Sequence, residues 1–312
     1  MTRLIECVPN FSEGRRPEVI RAIAQAIIGV KSAEVLDIHM DIDHNRSVIT
    51  FVCEPEFAVE AGFSAIQKAA ELIDMTTHKG VHPRIGACDV FPFVPLDDVT
   101  MDEAVKLANR LGQKVGKELQ IPIYLYEFAA KTPERQDLAN IRRGQYEGLC
   151  QSISYDTSKV PDYGPTKINL KSGATAIGAR GPLIAFNVFL ATQEKSIGTK
   201  IANAISESKG GFKFVKSLAF EIRSKNQIQV SMNLTNYQKT PISRVFETIK
   251  SETERYGVKI VSSEIVGLIP FDAVADVVNF YLRVEGFSKE KVLEEKLKQI
   301  TAKSNSQSIN KF

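Results

Sequence analysis

All four histidines of the chain, His39, His44, His78 and His82, fall in one stretch of its first third, with Asp41, Asp43 and Asp89 nearby in sequence. Such a cluster could hold a metal ion or move protons. The pair His78 and His82 has the i, i+4 spacing that puts two imidazoles on one side of a helix, but Gly80 and Pro83 argue against a helix there. There is no HExxH motif and no CxxC spacing among Cys7, Cys53, Cys88 and Cys150, so no metal is expected. Proton transfer suits a single imidazole, whose ordinary pKa of about 6.5 lets it take and return a proton near neutral pH. His82 is the best placed of the four. Gly80 permits an unusual backbone angle just before it, and Pro83 biases it away from the α region, so its ring should stand on a stiff, irregular turn. From spacing alone an acid/base role and a loop hydrogen-bonding role are both open. Cys88, shortly after, could be a nucleophile, but the start of a strand is more often a buried, inert position. The turn from Asp41 to Asn45 reads equally as solvated turn chemistry.

A second candidate is Gly164-Pro165-Thr166-Lys167-Ile168-Asn169-Leu170-Lys171-Ser172-Gly173, followed by 174–180. It bridges the two halves of the chain and offers backbone N–H groups, two lysines and Arg180 to a ligand with carboxylates. A plain linker reading stays open beside this one. Neither the P-loop pattern nor a GxGxxG fingerprint is present.

To position these residues the chain must supply a scaffold, and its apolar periodicity describes one. Residues 4–8 read as a strand, and Pro17 opens a helix with Val19, Ile20, Ile23, Ala24, Ile27 and Ile28 on one face. Strands over 34–39 and 47–53 and a helix over 56–73 follow. After a Gly/His/Pro-rich loop (76–86) come a strand over 88–94, a helix over about 101–119 and a strand over 121–126. Residues 131–149 read as helical and 154–172 as a long loop, a length usually reserved for function or linkage. The second half repeats the order: strand 183–190, helix 195–206, alternating strands 218–222 and 228–234, a helix from Pro241 and a strand over 258–266. Residues 288–300 form a Lys/Glu-rich amphipathic pattern. The fold class is therefore α+β, with two ferredoxin-like βαββαβ-type subdomains. Burying the remaining sheet faces against each other predicts facing sheets, outer helices (α/β/β/α) and a ligand tunnel between them.

With 43% apolar residues in 312 and a formal charge of +3, acids and bases interleaved, the composition is globular and lacks the footprint of a nucleic-acid binder. No apolar run approaches the roughly 18 residues of a membrane span, and the N-terminus has no apolar signal-type core, so a cytoplasmic location is expected, with no membrane partner.

Several stretches carry more than their spacing. Glu6-Cys7-Val8-Pro9-Asn10-Phe11-Ser12-Glu13-Gly14 resembles the start of the formiminotransferase domain family. So do Asn45-Arg46 before a strand, Leu72-Ile73-Asp74-Met75 leading into His78-Lys79-Gly80-Val81-His82-Pro83-Arg84-Ile85-Gly86-Ala87, and Pro122-Ile123-Tyr124-Leu125-Tyr126. Residues 173–187 and Val266-Gly267-Leu268-Ile269-Pro270 complete a set that spans nearly the whole chain in order. The resemblance implies two subdomains with facing sheets around a tunnel, an N-terminal one over 1–178 and a C-terminal one over 179–300, ahead of a polar tail over 301–312. It implies formimidoyl transfer between N-formimidoyl-L-glutamate and tetrahydrofolate as co-substrate, in histidine degradation and one-carbon metabolism, without a metal and in a homodimer. His82 matches the family's acid/base histidine, and Gly164 to Gly173 its folate-binding stretch. His39 stands where mammalian relatives have an acidic residue, so Asp37, Asp41 or Asp43 could take the assisting role, with His39 and Asn45 beside them. Arg84, Lys171 and Arg180 could hold carboxylates. No fused cyclodeaminase activity is expected. Alternatives that keep the folate are an enzyme acting on N5-formyl-tetrahydrofolate and a folate-binding protein without turnover.

Overall fold

In the computed structural model, which describes residues 3–96 and 98–298, the chain divides into two units. The first runs to Pro182 and takes in the turn Ile222–Lys225; the second comprises Leu183–Glu221 and the chain from Asn226 onward.

The first unit opens with a strand broken in two, β1 (Ile5–Cys7) and β2 (Asn10–Phe11), because Pro9 has no N–H to give the ladder. Both pieces lie between β4 (Arg46–Cys53) and β5 (Cys88–Pro95), antiparallel to each, and β3 (Glu34–Asp41) is the hairpin partner of β4. Counting β1 and β2 as one strand, these give the ferredoxin-like order 2-3-1-4. Beyond β5 the sheet is extended by two parallel strands, first β7 (Thr175–Ala179) and then β6 (Ile123–Glu127). Helices α1 (Pro17–Ile28), α2 (Pro55–Leu72) and α3 (Met101–Glu118) pack side by side against this sheet. Proline opens the first two, where a missing N–H costs nothing. A reciprocal capping box between Thr100 and Glu103 opens the third. Ile20, Ile23, Ile27, Phe51, Phe91 and Phe93 are fully enclosed in this core, each contributing roughly 1.5–3 kcal/mol of burial.

The segment expected to be one helix over 131–149 is instead a 3-10 turn at Pro133–Arg135 followed by α4 (Leu138–Ile141) and α5 (Gln145–Ser152). Gly144, at φ +85°, separates the two helices in a conformation that no helix interior allows. β7 is a second departure. Read from sequence as part of a binding or linking stretch, residues 175–179 are a buried central strand. Its small residues are required by contact, since a Cβ on Gly178 would lie 2.5 Å from the Tyr126 ring.

The second unit repeats the four-strand order. Its sheet runs β11 (Ile260–Val266), β8 (Ile184–Leu190), β10 (Gln227–Leu234), β9 (Val215–Ile222), with α6 (Lys195–Ile205) and α7 (Ile242–Arg255) packed together beside it. Phe186, Val188, Val230 and Met232 face the helices. On the opposite parity stand Asn187, Gln229, Ser231 and Glu264, with the Asn187 amide donating to Glu264 at 3.0 Å. A further helix, α8 (Phe271–Leu282), begins after Pro270 and was not anticipated. Of the helix expected over 288–300, a 3-10 turn at Lys289–Lys291 and helical residues 293–298 are present. Its last two residues and the expected polar tail over 301–312 lie outside the described residues.

The loop after α5 is tied down by a buried ion pair. Arg135 Nη1 lies 2.8 Å from Asp162 Oδ2, with the side chains 14% and 5% exposed, and Asp162 also accepts the Leu125 N–H at 2.8 Å. Arg135→Met strands that carboxylate and should cost roughly 3–5 kcal/mol in urea unfolding; a loss under about 1 kcal/mol would show that the pair does not hold the loop.

Candidate active site

α2 ends at Leu72, and the chain then takes an irregular path to β5 that is pinned at both ends by buried side chains, Ile73 and Met75 at one and Ile85 and Ala87 at the other. The Asp74 carboxylate accepts from the Thr76 N–H at 2.9 Å and its hydroxyl at 2.6 Å, shaping the first bend. Between the pins the brace is Asn45. Its amide oxygen accepts the Gly14 N–H at 2.9 Å, its amide nitrogen donates to the Lys79 carbonyl at 3.0 Å, and its own carbonyl accepts from His78 Nε2 at 2.9 Å. Asn45 sits at φ +47°, a left-handed conformation that asparagine tolerates better than most residues. Gly80 does not have the unusual backbone angle expected of it; it is there for space, because a Cβ would lie 2.2 Å from the His44 carbonyl oxygen.

His82 is half-buried at the far side of this loop. Its Nδ1 lies 2.8 Å from the Pro83 carbonyl oxygen. A carbonyl can only accept, so Nδ1 carries the proton and the neutral ring keeps its basic lone pair on Nε2. The His44 ring stands edge-on to it, centroids 5.8 Å apart at 75°. Burial pulls the His82 pKa well below its ordinary value, helped by the positive charges of Arg46 and Arg142 and by His44, against the Pro83 hydrogen bond. The ring is therefore a neutral base at physiological pH. Arg142 is fixed by a buried ion pair with Asp89, whose other oxygen accepts the Ile85 N–H at 2.9 Å. Arg46 opens β4 directly opposite Asp41, and burial pushes its pKa down to about 10.

Asp37, His39 and Asp41 alternate along β3, so they share one face of the sheet with Arg46, Val48 and Thr50 of β4. Asp41 lies nearest the cluster and caps the turn by accepting the His44 N–H at 2.7 Å. Arg84 is turned inward: both its Nη groups engage the Glu147 carboxylate, at 2.7 and 2.5 Å, and its Nε donates to His78 Nδ1 at 3.2 Å. His78 is thus held between a donor and an acceptor, as the Nε2–H tautomer. Arg180 lies beside Glu6 and Tyr126 and donates to the Gly181 carbonyl at 2.9 Å. The stretch from Gly164 to Gly173 meets the His82 loop at its pinned ends. The Lys171 carbonyl accepts the Met75 N–H and the Ser172 carbonyl the Ala87 N–H, both at 2.8 Å, and Gly173 bridges Gly86. Lys167, Leu170 and Lys171 are exposed along it. Cys88 is buried, and burial pushes its thiol pKa well up, which suits an inert thiol.

Sequence reasoning missed Arg142 and gave no electrostatic role to Arg46 or Asp89. Arg46 carried a signal, since Asn45-Arg46 is among the stretches that carried the resemblance. Arg142 was hidden by the expectation of an unbroken helix, whose interruption at 142–144 is what delivers its side chain to Asp89. The charges around His82 make a testable claim. By NMR the His82 imidazole should titrate below the ordinary value of 6.5, and Arg142→Gln, which removes a cation and leaves Asp89 unpaired, should move the midpoint upward; an unchanged or lower midpoint would contradict the arrangement.

Two family models match the chain: the formiminotransferase domain, N-terminal subdomain, over residues 4–180, and the formiminotransferase domain over 185–312. The chain is 53% identical over 298 residues to a glutamate formimidoyltransferase of Thermoplasma acidophilum, covering 95% of this chain and 98% of that protein. It is 44% identical to a glutamate formimidoyltransferase of Streptococcus pyogenes serotype M1, again over 95% and 98%. To the formimidoyltransferase-cyclodeaminase of Rattus norvegicus it is 42% identical, over 95% of this chain and 55% of that longer protein. Matched in both its units and nearly end to end by such relatives, the chain belongs to the formiminotransferase domain family.

Proposed function

We propose that the chain is a glutamate formimidoyltransferase, moving the formimidoyl group between N-formimidoyl-L-glutamate and tetrahydrofolate. The observation that carries the reading is the state of His82: an imidazole tethered through Nδ1–H to the Pro83 carbonyl, kept neutral by burial and flanking cations, with Nε2 as its basic atom.

Transfer to the folate needs that state. As N5 of tetrahydrofolate adds to the formimidoyl carbon, the nitrogen becomes cationic and must lose a proton, which Nε2 can take only if the ring starts neutral. The imidazolium then returns this proton to the glutamate nitrogen, the bond from that nitrogen to the carbon breaks, and glutamate leaves with 5-formimidoyltetrahydrofolate formed. One imidazole serves both steps. Asp41, with Asp37 and His39 along the same strand face, is the nearest source of negative charge on β3 for the positive charge that develops at the amidine. Asn45 serves by position, as does Arg84, whose guanidinium is committed to Glu147 and His78.

The reduced folate is assigned to Gly164 to Gly173, with Arg180 nearby in sequence; exposure of Lys167 and Lys171 and the rigid seating of the stretch against Met75 and Ala87 support this. The tunnel expected for the family belongs to the same proposal, supported by the family membership. A cytoplasmic homodimer in histidine degradation, without a metal and without nucleic-acid or membrane partners, is supported by the family membership.

Purified protein given N-formimidoyl-L-glutamate and tetrahydrofolate should form 5-formimidoyltetrahydrofolate, and no turnover would defeat the proposal. His82→Ala should lower kcat by roughly 10²- to 10⁴-fold while the Kd for a reduced folate changes little; near-normal turnover in the folded variant would remove His82 from the mechanism.

A further inference from the structure

Arg46 is a cation within electrostatic reach of Asp41 and Asp89, yet it carries one enclosed donor that the fold leaves unmatched. Its Nε–H is shut off from solvent with no acceptor among the described residues, and the ion pair of the cluster belongs to Arg142 and Asp89. The Nε–H of Arg142 is enclosed and unmatched in the same way. Enclosing a guanidinium N–H without an acceptor is costly, and a native structure that leaves such a group calls for a specific explanation. Arg46 remains a cation at neutral pH. Both arginines and His82 are only partly enclosed as residues, so a small molecule can reach the cluster from solvent.

We propose that Arg46, with Arg142 beside it, binds the α-carboxylate of the formimidoylated glutamate and so sets the formimidoyl carbon against His82. This rests on the transfer reaction proposed above. The planar guanidinium is the side chain best matched to a carboxylate. Both groups are held on rigid supports, Arg46 by its place opposite Asp41 at the start of β4 and Arg142 by Asp89, which in turn is fixed on the Ile85 N–H. Such preorganisation lets binding energy go into orientation.

Two substrates could bring a carboxylate, the donor or the glutamyl tail of the folate. Their geometry differs. In the donor, only the α-carbon and one nitrogen separate the α-carboxylate from the formimidoyl carbon, whereas the carboxylates of the folate lie beyond its p-aminobenzoyl spacer from N5. A cation adjoining the acid/base imidazole therefore meets the donor.

Steady-state kinetics of Arg46→Gln in the full chain test this. The KM for N-formimidoyl-L-glutamate should rise roughly 10- to 100-fold with the KM for tetrahydrofolate little changed, and Arg46→Lys should recover part of the loss. A rise confined to tetrahydrofolate, or no rise at all, overturns the proposal. Calorimetric titration with glutarate, and with glutaramide as its uncharged counterpart, reads the site without turnover: the wild-type chain should bind glutarate alone, and Arg46→Gln neither. Glutarate binding by a chain that transfers no formimidoyl group would keep the carboxylate site and remove the reaction; transfer with glutarate affinity untouched by Arg46→Gln would do the reverse. The ligand-free Arg46→Gln chain should melt no lower than wild type, and a fall beyond about 5 °C would make Arg46 a structural cation and overturn the assignment.

Discussion

Asn45 does for the His82 loop what strand pairing does elsewhere in the fold. Residues 73–87 have no ladder of their own, and an irregular segment that must hold a ring to within a fraction of an ångström needs its backbone groups met by side chains. A single amide meets one of them, the Lys79 carbonyl, and ties it to the Gly14 N–H of the opening stretch, while its backbone carbonyl anchors His78. The left-handed backbone of Asn45 is what aims all three groups at once. Its neighbours are tied to the same frame. The Glu13 carboxylate accepts from the N–H groups of Arg15 and Arg16, the Ser47 hydroxyl donates to the Glu13 carbonyl, and the Ser12 hydroxyl donates to the Gly86 carbonyl at 2.7 Å. The opening stretch, the β3–β4 turn and the loop are one hydrogen-bonded body.

Within that body two imidazoles divide the work by tautomer. His78 is consumed in bracing: its Nδ1 lone pair is engaged by the Arg84 N–H and its Nε2–H by the Asn45 carbonyl. His82 spends its Nδ1–H on a carbonyl one residue away, and that bond selects Nε2 as the base. A carboxylate in the place of the Pro83 carbonyl would have favoured the imidazolium. The cations near it push the other way, so the ring waits unprotonated for a nucleophile that sheds a proton.

Elements with strong periodicity were legible from sequence, and those whose residues serve a neighbour were not. Helices α1, α2, α3, α6 and α7 and strands β8 to β11 follow their apolar patterns to within a few residues. β7 escaped notice because Thr-Ala-Ile-Gly-Ala has low strand propensity; small residues are demanded there by strands on both sides and by the Tyr126 ring. The break between α4 and α5 was masked by helix-forming residues around Gly144. At the site, His82 could be picked out by its stiff neighbours, but the reason for Gly80 could not, since it is the approach of a carbonyl from another segment. Arg142 comes from a distant turn, and no local pattern reports what a long-range contact will do with a charge.

The two units show where the chemistry entered. Both have the same strand order, and both turn their central hairpin on a left-handed asparagine immediately before the inner strand, Asn45 at φ +47° ahead of β4 and Asn226 at φ +52° ahead of β10. The turn alone therefore does not make a site. What differs is the connection from the second helix to the fourth strand. In the second unit it is the short link 256–259, while in the first it is 73–87, long enough to rise off the sheet and carry His78 and His82. Arg46 at the start of β4 has Gln227 as its counterpart at the start of β10. A common βαββαβ frame supplies the rigid hairpin and its turn, and the first unit adds to that frame a loop with an imidazole and a cation facing it. That is the division expected when a scaffold sets positions and its loops set the reaction.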